Sequence, residues 1–206
     1  MSFPLFDRVV LTGNKVLLRP TRAVDASTAF ELIHGQREIL RWLVWSGPAS
    51  PRELEEFYGR WLVPRDGACN YLFAVLERSS GAFAGTISVR FAGHPSTGDL
   101  GYWLGLPFWG RGLGTEAIGL ATWFAFHELA AAATCAWVFV GNLGSRRALE
   151  KNGYGLVRTR PRTGARPGSA EEEWYFGLTR SEWQRADSRI EPLGVVVEPP
   201  EPERIG

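Results

Sequence analysis

The chain has 206 residues, 45% of them apolar and 22% charged, with nine tryptophans and twelve phenylalanines, which is material for one packed domain and excludes wholesale disorder. Its 23 basic and 22 acidic residues leave a formal charge of +1, without the basic excess that a nucleic-acid-binding domain carries. Two cysteines, Cys69 and Cys135, make neither a disulfide framework nor a zinc-ligand pattern, and no apolar run reaches the roughly 18–20 residues of a membrane span; the expectation is a cytoplasmic protein without metal, membrane or nucleic-acid partners.

Asp7 and Arg8 interrupt the first residues and argue against a signal peptide. Lys15 to Arg19 reads as a first strand ended by Pro20, and Asp25 as the cap of a helix through Phe30, Leu32 and Ile33. A second short helix covers Glu38 to Leu43. Ser50-Pro51-Arg52-Glu53 supplies a capping hydroxyl, a first-turn proline and an acidic third position, so a helix starts there and stops before Pro64. The period then changes. Tyr71 to Leu76, Ala84 to Phe91 and Asp99 to Leu104 read as three strands joined by turns at Ser79-Ser80-Gly81 and Pro95 to Gly98, an antiparallel meander.

A glycine-rich turn at 105–112 leads into one long helix from about Gly112 to Ala130. Cys135 to Val140 is the next strand, and Asn142 to Ser145 opens a short helix, for which Ser145 can serve as cap, ending near Asn152-Gly153. Gly153 to Arg158 starts another strand. The basic insert from Arg158 to Pro167 reads as a loop whose Arg158, Arg160, Arg162 and Arg166 could meet an acidic acceptor, a merely solvated loop being the competing reading, and Glu173 to Leu178 reads as the last strand. Thr179-Arg180-Ser181-Glu182 is a capping box opening a terminal helix. Periodicity is lost from Pro192. The domain therefore spans 10–189, and 190–206 reads as a flexible, solvated tail. The order describes a single-domain α/β fold, a mixed and mostly antiparallel central sheet with helices on both faces.

The sharpest feature is Leu106-Pro-Phe-Trp-Gly110-Arg-Gly112-Leu-Gly114-Thr-Glu-Ala117, set between a strand and a long helix. Unpaired amides at a helix start, glycines that allow close approach and a nearby cation, Arg111, suit a phosphate; a ligand-free tight turn is the competing reading. Residues 112–117 match G-x-G-x-x-A, yet antiparallel strands precede them and Glu128 lies inside a helix, against a dinucleotide fold. A nucleotide P-loop would need Lys-Ser/Thr after the glycines, which is absent here.

With these motifs the chain resembles the GCN5-related N-acetyltransferase superfamily, closest in style to its ribosomal-protein alanine acetyltransferase branch. Trp109-Gly110-Arg111-Gly112-Leu113-Gly114 stands where that family has (Q/R)-x-x-G-x-(G/A), with Trp109 departing at the first position. Asp99-Leu100-Gly101-Tyr102-Trp103-Leu104 resembles its E-x-G-Y-W-L strand, and Asn142-Leu-Gly-Ser145 through Glu150-Lys151-Asn-Gly153-Tyr154 its N-x-x-S…E-K-x-G-F run.

The resemblance implies a V-shaped opening between strands 99–104 and 135–140 that holds acetyl-coenzyme A or another short acyl-CoA. Backbone groups of Tyr102, Trp103 and Leu104 would face the thioester, and Arg111, Gly112, Leu113, Gly114 and Thr115 the pyrophosphate. By the same resemblance Asp99 is the general base or water-positioning carboxylate. Asn142 lies on the pantetheine arm and Ser145 beside the departing sulfur, both also having plain roles at a helix start. Trp42, Trp45, Trp61 and Tyr71 fall where the acceptor groove lies; the competing reading for all four is core packing.

The implied reaction is transfer of an acetyl group, by direct attack, to a primary amine on a protein N-terminus or small molecule. Transfer of succinyl or another short acyl group, and a non-catalytic acyl-CoA sensor, stay open, as does monomer against homodimer.

Overall fold

The computed structural model describes residues 6, 8–59, 69–91, 96–162, 170–187 and 189–198. Strand β1 (Arg8–Thr12) turns tightly into β2 (Val16–Pro20). Three short helices follow, α1 (Ala26–Ile33), α2 (Arg37–Leu40) and α3 (Pro51–Tyr58), then the meander β3 (Cys69–Glu77), β4 (Phe83–Phe91) and β5 (Thr97–Leu104). The long helix α4 (Leu113–His127) leads to β6 (Ala133–Phe139), α5 (Leu143–Glu150), β7 (Gly155–Pro161), β8 (Glu172–Thr179), α6 (Arg180–Arg185) and β9 (Gly194–Glu198). Among the described residues the strands form one open sheet, ordered β7-β8-β6-β5-β4-β3-β2-β1-β9.

Period-two alternation sorts the side chains of β3 onto two cores. Tyr71, Phe73 and Val75 join α4, with Phe124 meeting the Tyr71 and Phe73 rings edge-on at 5.6 and 5.1 Å. Leu72 and Ala74 join α1 and α3 on the other face with Ile33, Leu54, Tyr58, Phe83 and Trp103. The mixed α/β sandwich with helices on both faces is therefore the observed architecture. Helix α4 is buried on almost every side, as a helix lying against the middle of a sheet must be.

Every neighbouring pair in the register is antiparallel except β5 with β6, which run parallel and pair only at Thr97↔Ala133, Gly98↔Thr134 and Asp99↔Cys135. Beyond Asp99 the two strands separate while β5 stays paired with β4 as far as Leu104. That splay is the V-shaped opening.

Three expectations need correction. The stretch 194–198, read as part of a solvated tail, forms β9 and pairs with β1 over five residues. Its Val195-Val196-Val197 run suits a strand, and Ile190 ahead of it packs against Gly119 of α4. The basic insert beginning at Arg158 is strand as far as Pro161, because cross-strand pairing with β8 supplies order that local composition does not show. Asp25 precedes α1 without a side-chain cap bond; its carboxylate instead takes the Arg19 guanidinium at 2.6 and 2.8 Å and the Arg22 amide at 2.8 Å. No helix among the described residues is long and apolar enough to cross a membrane.

Candidate active site

The opening between β5 and β6 broadens into a cleft of about 1090 Å³, lined by β4, β5, β6, the glycine turn, the start of α5 and the segment after α2. Backbone direction along β5 follows from one hydrogen bond. The Gly105 amide donates to Ala84 C=O, so in antiparallel alternation Trp103 and Gly101 point their amides at β4, and Leu104 and Tyr102 point theirs into the gap. The Trp103 side chain is buried in the α1/α3 core.

At the far end of the gap the chain turns through Gly110 and Gly112, both with positive φ (71° and 81°) that only glycine adopts freely. Gly112 precedes α4 with no side-chain cap, and the first helical bond is Glu116 N–H to Gly112 C=O. The amides of Leu113, Gly114 and Thr115 therefore have no partner inside the helix. Open space surrounds Gly110 where a Cβ would stand. Gly110, Gly112, Gly114 and Thr115 line the cleft, whereas the Leu113 side chain is in the α4 core.

Trp109 donates its indole N–H to Leu104 C=O at 2.7 Å, which ties the turn to the end of β5 at the position where the motif departs from its usual form. Arg111 does not bring its guanidinium to the cleft; that group pairs with Glu77, and only the Arg111 backbone belongs to the turn. Lys15 braces the turn from behind, its ammonium 3.1 Å from Arg111 C=O.

On the opposite wall Asn142 is the cap of α5, accepting the Ser145 amide at 3.1 Å. Ser145 is thus the third residue of that helix and not its cap, which leaves its hydroxyl available. Ser145 Oγ lies 2.6 Å from Tyr102 Oη, so the two walls touch across the gap. Burial pushes the Tyr102 phenol up to about 12, against a smaller downward pull from Ser145. Tyr154 is turned away; its hydroxyl bonds Thr122 and Thr134 at 2.7 and 2.8 Å inside the α4 core.

Asp99 stands at the vertex, where the β5–β6 pairing ends. Its carboxylate is 19% exposed and pairs with Arg90 on β4. Burial raises its pKa above the ordinary aspartate value; the Arg90 hydrogen bond and charge oppose this, and the nearby Glu173 carboxylate reinforces it. Of the aromatic candidates, Trp42 lines the cleft with Leu43 and Val44, its ring facing Gly141. Trp45 packs against the α1/α3 core. Tyr71 is fully buried against Phe6 and Phe124 on the α4 side and takes no part in the cleft. Trp61 lies outside the described residues.

Arg160 and Arg162 of the basic insert line the cleft, while Arg166 lies outside the described residues; Arg90, Glu173, Trp137 and Phe139 also line it and were not legible as site residues beforehand. These four reach it through strand register, which no local motif encodes.

The family model for an acetyltransferase (GNAT) domain matches residues 15–155. The chain is 29% identical over 154 residues to the "Probable N-acetyltransferase YjcK" of Bacillus subtilis, covering 70% of this chain and 83% of that protein. Mycobacterium smegmatis RimJ, solved in complex with CoA-disulfide, superposes with a TM-score of 0.75 at 20% identity, covering 93% of this chain and 99% of that one. A GCN5-related N-acetyltransferase from Brucella melitensis gives 0.68 at 23%, with 85% and 80% covered. These two likenesses concern the fold alone. The match to the family model spans more than half of the sequence, and the chain belongs to the acetyltransferase (GNAT) family of acyl-CoA-dependent transferases.

Proposed function

We propose that the protein transfers an acetyl group from acetyl-coenzyme A to a primary amine by direct attack, with the gap between β5 and β6 as the reaction site. The carrying observation is convergence. A glycine turn with uncapped amides, two strand amides and a Tyr102–Ser145 hydroxyl pair face one opening, and a half-buried carboxylate stands at its vertex.

The residues present fit the donor. The turn from Gly110 to Thr115 offers amides and the positive end of α4 to a pyrophosphate. Asn142, Ser145, Arg147 and Lys151 line the wall along which the pantetheine and the remaining phosphate would run. When bound, the donor supplies an acyl group activated as a thioester. The Tyr102 and Leu104 amides are poised to hold the carbonyl oxygen as negative charge develops on it.

In the transfer a C–N bond forms and the C–S bond breaks, and the amine gives up one proton. Asp99 is the acceptor for that proton, directly or through a water, and its raised pKa favours the task. The sulfur leaves as a thiolate. Tyr102, at about 12, is a far weaker acid than an ordinary thiol near roughly 8.5. The Tyr102–Ser145 pair therefore steadies the thiolate by hydrogen bonding, and full protonation is left to solvent.

The acceptor is an amine on a protein N-terminus or a small molecule, approaching beside Trp42. Calorimetric titration with acetyl-CoA, followed by thiol release across an amine panel, tests the reading. About one donor site per chain and amine-dependent release are expected; a folded protein that binds no acyl-CoA overturns it.

A further inference from the structure

Strand register places a second group of side chains on the Asp99 face of the sheet. Asp99 pairs with Cys135, so Trp137 and Phe139, two and four residues further along β6, share its face. Cross-strand pairing carries the same face to Tyr175 and Glu173 on β8, and from there to Arg158 and Arg160 on β7. Arg162 follows at the end of β7. Helices α1 and α3 cover this face only around Leu72, Ala74, Phe83 and Trp103, and Arg158 and Arg160 remain exposed.

The arginines sit over the aromatic rings. The Arg160 guanidinium is 3.6 Å from the Trp137 ring centroid, Arg162 is 3.4 Å from Phe139, and Arg158 is 5.0 Å from Tyr175. A guanidinium held over a ring keeps N–H groups at its edge that can fork to a carboxylate or phosphate. Glu173, nearly buried, holds Arg160 in place at 2.8 Å. The charges lining the cleft are Arg90, Arg147, Lys151, Arg160 and Arg162 against Asp99 and Glu173. Arg147 and Lys151 belong to the α5 wall assigned to the donor, and Asp99 already faces Arg90. Arg162 also donates to Ala170 C=O at 2.9 Å and stands opposite Glu171; with the exposed Arg158 beside them, the three arginines outnumber the Glu173 and Glu171 carboxylates on the acceptor side of the vertex.

We propose that this arginine row is an acceptor-recognition subsite, and that the amine acceptor carries an anionic group, a carboxylate or a phosphate, held by Arg160 and Arg162 while its amine reaches Asp99. The inference rests on the transferase reading above and adds the acceptor's chemical class. The stacked aromatic bed desolvates the arginines on one side, which strengthens their hold on an anion relative to a freely hydrated lysine.

The test compares matched amines by thiol release with acetyl-CoA. One arm uses the peptide amides Ala-Asp-Glu and Ala-Asn-Gln; the other uses O-phosphoethanolamine against ethanolamine and glutamate against its diamide. A kcat/KM advantage of about tenfold or more for the anionic member is expected in at least one arm, as for a charge-assisted contact, and the arm that responds identifies peptide or small molecule. Arg162→Gln and Arg158→Gln should shrink that ratio. Arg160→Gln should do so as well, but it strands the Glu173 carboxylate, so the two other variants carry the test if it fails to fold. Equal or better turnover of the neutral members in both arms, or a ratio that none of the variants changes, overturns the proposal. Failure of acetyl-CoA to bind instead overturns the transferase reading beneath it, and titration of the donor alone tells the two apart.

Discussion

At the scale of single residues, Asp99 carries opposed demands. Its raised pKa means that folding disfavours the charged carboxylate. The linked stability is present in full below the ordinary aspartate value and is lost as pH rises through the raised one. At neutral pH the charge is therefore a net cost to stability. Asp99→Asn removes the half-buried charge, and Arg90, whose side chain is 54% exposed, can turn to water. The variant should melt at the same temperature as the parent or higher, while kcat falls by about 10²-fold and the rise of rate with pH flattens. Thermal melts and pH–rate profiles read both effects, and a variant that turns over normally removes Asp99 from the chemistry.

The Tyr102–Ser145 contact makes a separate prediction. Each hydroxyl has the other as its partner across the gap. If the pair acts as one device on the leaving sulfur, Tyr102→Phe, Ser145→Ala and the double variant should lose similar factors in kcat, about tenfold each, with donor affinity little changed. Multiplying losses would mean two independent roles.

At the scale of elements, the glycine turn and helix α4 are locked to the first hairpin by Glu116. Its buried carboxylate accepts the amides of Asn14, Lys15 and Val16 at 2.9, 2.6 and 2.7 Å. Gly13 has no Cβ because one would stand 2.7 Å from that carboxylate. One acidic side chain in the first turn of α4 thus satisfies the β1–β2 turn and sets where the uncapped amides of α4 sit. Glu116→Ala strands the buried Val16 amide and leaves the part-buried Asn14 and Lys15 amides to water; it should cost about 2 kcal/mol, read as a lower urea midpoint, with acetyl-CoA affinity falling beyond what the stability loss explains.

This role illustrates what was legible beforehand. The turn, the long helix and the meander were readable because glycines, caps and periodicity are local signals. Ser50 and Thr179 cap their helices as the sequence suggests, accepting from Glu53 and Glu182. Glu116 was not readable, since its partners lie about a hundred residues away. Neither was β9, whose partner β1 opens the described chain. Ser145 and Asn142 were singled out together, but which of them caps α5 depends on one backbone angle that sequence leaves open.

At the scale of the whole molecule, the sheet is divided at one seam. Strands β1–β5 and β9 form one half and β6–β8 the other, joined by three parallel residue pairs. The α4/α5 face presents the turn, Tyr102 and Ser145; the opposite face presents Asp99, Trp42 and the arginines. Among the described residues the two faces meet through the seam's open end, so an acyl donor and an amine would enter from opposite sides and could occupy the cleft together.

That arrangement predicts sequential kinetics. A ping-pong route would need a nucleophile on the enzyme, and Cys135, beside the vertex, is a poor one: burial pushes its thiol up to about 11, and the Asp99 carboxylate adds to the rise. The Cys69 side chain lies outside the described residues, so Cys69→Ala belongs in the same experiment. Initial rates measured over a grid of acetyl-CoA and amine concentrations should give intersecting lines, and Cys135→Ala and Cys69→Ala should each keep at least about half the parent kcat, since neither thiol would carry the acyl group. Parallel lines that disappear with one of these variants would place a covalent intermediate on that cysteine, and the seam would then serve two successive occupants in place of a ternary complex.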